Sequence, residues 1–141
     1  MQHILLATDG SESARRAAEV AAHLAHVLGG KLSIVTVEGS ITKDMEQFAG
    51  SEGNLADAVE GFAAQVLRQA REIAAKADVT TVEVRTGWGD PAEVIIEMVR
   101  REKVDTIVVG RRGHGRLAGL LLGSVSQKLV SLAPCTVVVV P

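Results

Sequence analysis

The chain of 141 residues is 47% hydrophobic and 23% charged, with 3 prolines, a composition that supports one hydrophobic core and excludes disordered, collagen-like and low-complexity chains. Aromatic residues make up only 2%, namely Trp88, Phe48 and Phe62, too few for the stacking platforms that bind single-stranded nucleic acid. The net charge of −2 argues against polyanion and membrane-surface partners, but every carboxylate lies between Asp9 and Asp105, whereas residues 106–141 carry Arg111, Arg112, Arg116 and Lys128 and no acid; this points to a local anion site.

In chain order, β-rich runs alternate with helical patterns, which predicts a single domain over 1–141 of α/β class, with strands at roughly 3–8, 32–37, 79–86, 104–109 and 136–140. Asp9 interrupts the first apolar run too early for a signal peptide, and no run approaches a membrane span. The lone Cys135 allows no internal disulfide. A cytoplasmic protein is expected. The first helix is announced by Ala14, Ala17, Ala18, Ala21, Leu24, Ala25 and Leu28, with Gly29 and Gly30 as the stop. Residues 38–54 are polar and aperiodic and read as a mobile connection. Leu55, Val59, Phe62, Ala63, Val66, Leu67, Ala70, Ile73 and Ala74 mark the second helix. Trp88 is expected to cover part of the core. Asp90-Pro91-Ala92-Glu93 supplies cap, first-turn proline and capping-box glutamate for a third helix to about Arg101. A fourth should run from Ser124 to Leu132.

Strand three alternates Val82 and Val84 with Glu83 and Arg85, as an edge does, whereas Ile4 to Ala7 and Thr106 to Val109 are continuous and central. Right-handed crossovers then favour an open five-stranded parallel sheet of order 3-2-1-4-5 with helices on both faces. Its winding reverses between strands one and four, where ligands bind at the carboxyl ends. Thr8-Asp9-Gly10-Ser11 lies on one side of that crevice. Facing it is the loop from Gly110 and Arg111 through Gly113, His114 and Arg116 to Gly123, Ser124, Val125 and Ser126. Glycines admit close backbone approach, a helix N-terminus offers free N–H donors, and Ser124 and Ser126 add hydroxyls, so the segment describes a phosphate cradle. It is no P-loop, because Arg116 and Leu117 stand where Lys and Ser/Thr are required, and no dinucleotide fingerprint, because Val138 stands near the position of the ribose-binding acid. Asp9 either caps the first helix or serves a ligand through ribose hydroxyls or a bound Mg2+.

The spacing that does match is G-x2-G-x9-G-S/T at Gly110, Gly113, Gly123 and Ser124. With the opening Ile-Leu-Leu-Ala-Thr-Asp-Gly-Ser, the Gly87-Trp88-Gly89-Asp90-Pro91 approach and the closing Cys-Thr-Val-Val-Val-Val, the whole chain resembles the universal stress protein family. The family's usual Cys-Pro before the last strand is here Pro134-Cys135. The resemblance implies ATP binding, with Mg2+ as an accompanying ion, at Asp9, Val37, Gly110, Gly113, Gly123, Ser124, Val125 and Ser126, beside Arg111. It implies a nucleotide-dependent regulatory role and a homodimer through strand five, whose Thr136 to Val140 would otherwise be a bare apolar edge. No acid follows Asp105, so efficient catalysis has no base within the loop region. Slow hydrolysis or autophosphorylation on Ser124 or Ser126 is the alternative.

Overall fold

The computed structural model describes residues 2–38, 55–111 and 122–141. In chain order the elements are β1 (His3–Ala7), α1 (Glu12–Leu28), β2 (Lys31–Glu38), α2 (Leu55–Lys76), β3 (Val82–Trp88), α3 (Pro91–Glu102), β4 (Thr106–Gly110), α4 (Ser124–Leu132) and β5 (Thr136–Val140). All strand pairs are parallel and the order is β3-β2-β1-β4-β5, as the alternation of the strands implied. The mobile-connection reading of 38–54 concerns residues almost wholly outside the described set. No helix among the described residues is long and apolar enough to cross a membrane.

Two apolar layers flank the sheet because successive strand residues point to opposite faces. Ile4, Leu6, Leu32, Ile34, Val108 and Val140 face α1 and α2 through Ala17, Ala21, Ala70 and Ala74. Leu5, Ala7, Val35, Ile107 and Val109 face α3 and α4 through Ile95, Val99 and Leu129. The alanine stripe of α1 brings its backbone close to the sheet, so that helix sits directly against β1 and β4. At the amino end, His3 Nε2 and Ser33 Oγ form a buried hydrogen bond of 2.7 Å, and Asp105 accepts from the His3 amide.

Two expectations are corrected. Strand three begins at Val82, not near 79, because Asp78 adopts a left-handed conformation (φ 60) and the Val79 amide bonds back to Ala74 O. Val79 thus closes α2 with its apolar side chain instead of opening the strand. Trp88 does not cover the core; it ends the edge strand and is 75% exposed.

Candidate functional site

The register fixes what converges at the carboxyl ends. Ala7 pairs with Val35 on one side and Val109 on the other, so two residues further along each chain stand Val37, Asp9 and Arg111. Val37 packs on the α3–α4 layer, while Asp9 and Arg111 follow just beyond the last residues of β1 and β4. The three form a row at the carboxyl ends of β2, β1 and β4, beside the point where the strand order reverses.

Arg111 is the hub of this row. Its N–H donates to Val140 O at 2.6 Å, and its carbonyl accepts from the Gly123 amide at 2.7 Å and from Ser126 Oγ at 2.8 Å. The neck of the glycine loop is thereby closed, and the start of α4 is pinned to the end of β4. Because the cap residue Gly123 has no side chain, no side chain caps α4, and the N-terminal amides of Ser124, Val125 and Ser126 carry the positive end of the helix dipole toward the crevice. Arg111 Nε is buried with no hydrogen-bond partner among the described residues. Ser126 is buried, and its hydroxyl hydrogen is shared between Arg111 O and Gly123 O, so it braces the neck; Ser124 is exposed. Gly113, with Arg112, His114 and Arg116, falls outside the described residues.

Asp9 and Ser11 divide the roles for which both were suited. Ser11 is the N-cap of α1, its Oγ accepting from the Ala14 amide at 3.2 Å, while Asp9 Oδ1 accepts from the Ser11 amide at 3.0 Å and builds the turn ahead of it. Gly110 has a reason of its own to lack a side chain. A Cβ there would come within 2.6 Å of Ser13 Oγ and 2.8 Å of the Ala14 backbone nitrogen, so glycine lets α1 lie against β4.

Three neighbouring features escaped the sequence reading. Ser13 donates to Val140 O at 3.0 Å, tying α1 to β5, a contact that only the topology reveals. Glu38, beside Val37, is 6% exposed; burial, and secondarily Glu60, pushes its carboxyl above the usual range. An acid at the end of the strand, in alternation with Ile34 and Thr36, was a visible signal for it. A groove of about 410 Å³ also opens between α1 and α2, lined by Thr8, Glu12, Arg15, Val66, Gln69 and Lys76. Its Glu12 and Arg15 neutralise each other at 2.8 Å.

The family model described as the universal stress protein family matches residues 1–141. A universal stress protein of Thermus aquaticus, encoded in the 3′ region of a QAH/OAS sulfhydrylase, is 36% identical over 137 residues, 97% of this chain and 96% of the relative. A solved universal stress protein in complex with cAMP superposes with a TM-score of 0.77 at 30% identity, covering 99% of this chain and 97% of that one. An Arabidopsis thaliana member with AMP bound gives a TM-score of 0.71 at 22% identity, over 99% and 91%. With a family model spanning every residue and a relative 36% identical over 97% of this chain, the chain belongs to the universal stress protein family.

Proposed function

We propose that this chain is a cytoplasmic, ATP-binding regulatory protein, that its nucleotide lies against Asp9, Val37, Gly110, Arg111, Gly113 and Gly123 to Ser126, and that it works as a homodimer through β5. The observation that carries the reading is the closed neck at Arg111, which holds the uncapped α4 N-terminus beside the row formed by Val37, Asp9 and Arg111. Backbone amides and a helix dipole suit a phosphate, and Arg111 adds a cation. The universal stress protein solved with cAMP supports an adenine nucleotide as the class of ligand. Mg2+ is compatible with the Asp9 carboxylate, which would hold it against the phosphates and offset the repulsion a bare acid would exert.

The test is titration calorimetry with ATP on the wild type and on a Gly113→Val/Gly123→Val double variant whose folding is checked by circular dichroism. The added side chains should weaken ATP by about tenfold or more, as loss of a close backbone approach costs on the order of 1.4 kcal/mol. Unchanged affinity in the folded variant overturns the site. Mass spectrometry of nucleotide released from freshly purified protein identifies the species held, and ADP accumulating during incubation with ATP would assign turnover, for which the exposed Ser124 is the better placed of the two serine acceptors.

A further inference from the structure

Glu38 is the last residue of β2 and the immediate neighbour of Val37. Its backbone carbonyl accepts from the Gly89 amide at 3.0 Å, and it stands opposite Trp88 in the register, so it anchors the carboxyl ends of both β2 and β3. Alternation turns its side chain to the α2 face with Ile34 and Thr36. There it is buried, and Oε1 finds no donor among the described residues.

The charged surroundings offer no relief. Among the described residues, α2 presents Glu60, a like charge. The end of β3, Thr86 to Trp88, has no titratable side chain. Asp9 is another acid, held in the turn ahead of α1 by the Ser11 amide, and the first turn of α1 carries Glu12 already engaged by Arg15. A carboxylate with one oxygen buried and unpartnered beside a like charge is costly to ionise, and such a group neutralises or moves. Burial first and Glu60 second push the Glu38 carboxyl up.

We propose that Glu38 is a positioning residue for the nucleotide crevice, seated when protonated and driven from its burial when ionised, so that a proton at Glu38 and a nucleotide at Val37 assist each other. The inference rests on Val37 being a nucleotide contact, as proposed above. The seated acid keeps the last residue of β2 in the ladder and Val37 packed on the α3–α4 layer. Ionisation pulls the side chain toward water, disturbs the β2 end and moves Val37 with it. By linkage, what proton binding does for the nucleotide, the nucleotide does for proton binding.

The experiment compares ATP affinity of the wild type and Glu38→Gln from pH 5 to pH 8 by calorimetry. Glutamine has the same shape and no charge to gain, and the titration of ATP itself, or of any other group, acts equally on both proteins. The ratio of wild-type to variant dissociation constants should be near one at pH 5 and rise by roughly fivefold toward pH 8. The wild type should also take up more protons on binding, read by repeating the titration in buffers of different ionisation enthalpy. A ratio that stays constant across pH overturns the coupling. Absence of ATP binding by both proteins at every pH overturns the nucleotide reading instead. Should Glu38→Gln fail to fold, Glu60→Gln removes the repelling neighbour and should move the wild-type pH profile to lower pH; an unmoved profile counts against the proposal.

Discussion

At Gly110 the demands of packing and of binding meet in one missing methyl group. Because the absent Cβ would strike the α1 backbone at Ala14 and not only the end of a flexible side chain, Gly110→Ala should destabilise the fold by roughly 1–3 kcal/mol, the usual range for overpacking. Urea denaturation checks this, and a stability equal to wild type would show that α1 can shift to make room. Asp9 separates in the opposite way. Asn retains the Oδ1 that accepts from Ser11, so Asp9→Asn should change stability by less than about 0.5 kcal/mol yet weaken Mg-ATP by about tenfold if the charge is used. Equal Mg-ATP binding would return Asp9 to building the turn. Glu38 adds a dependence on pH that its raised folded-state value fixes in sign. Its favourable contribution is present in acid, where both states are protonated, and is lost as pH rises through the folded value. The denaturation midpoint of Glu38→Gln, relative to wild type, should therefore rise from pH 4.5 to pH 8; a difference independent of pH would contradict the burial of a titrating acid.

Three helices end with the same left-handed closure, at Gly29 (φ 60), Asp78 (φ 60) and Lys103 (φ 54), each followed by an amide bonding back across the last turn. Only the first was readable, because Gly29 and Gly30 advertise it, whereas Asp78 and Lys103 are held there by the strands that must follow. That is why α1 ended where expected and β3 did not begin where expected. Lys103→Gly should stabilise the protein by about 0.5–1 kcal/mol, relief of left-handed strain exceeding the added freedom of the unfolded chain. An increased urea midpoint with unchanged slope is the expected result, and a decrease would mean that the lysine side chain contributes more than its strain costs. The strand order, and with it the point where the winding reverses, was legible because hydrophobic alternation distinguishes Val82 to Arg85 from Thr106 to Val109, and parallel connections then leave little choice. Neither Ser126 as a brace of the neck nor Ser13 as a tie to β5 was legible, because each depends on a carbonyl more than ten residues away in sequence. Hydroxyl chemistry names a donor but not its acceptor.

The two edges of the sheet are finished differently. On β3, Glu83 bonds Lys31 at 3.0 Å and Arg85 at 2.9 Å, and Arg85 also pairs with Glu102, so that charged side chains guard the open ladder against another strand. The two cations hold the Glu83 carboxyl below its usual range, Lys31 first. On β5, Val137, Val138 and Val139 are only partly buried, and α4, which packs on this strand, exposes Val130 and Leu132. A second copy pairing along β5 would cover both. Val130→Lys with Leu132→Lys, both already exposed and so tolerable in the monomer, should shift sedimentation toward monomer; wild-type protein that is monomeric at high micromolar concentration would refute the dimer. Val140 gives this edge a second meaning. Its carbonyl receives both the Arg111 amide and the Ser13 hydroxyl, so the peptide that ends β5 also secures the neck of the glycine loop. If the chain pairs along β5 and binds ATP as proposed, subunit exchange and ligand occupancy should not be independent quantities: saturating ATP should slow the mixing of differently labelled protomers, and dilution that separates the subunits should weaken ATP binding.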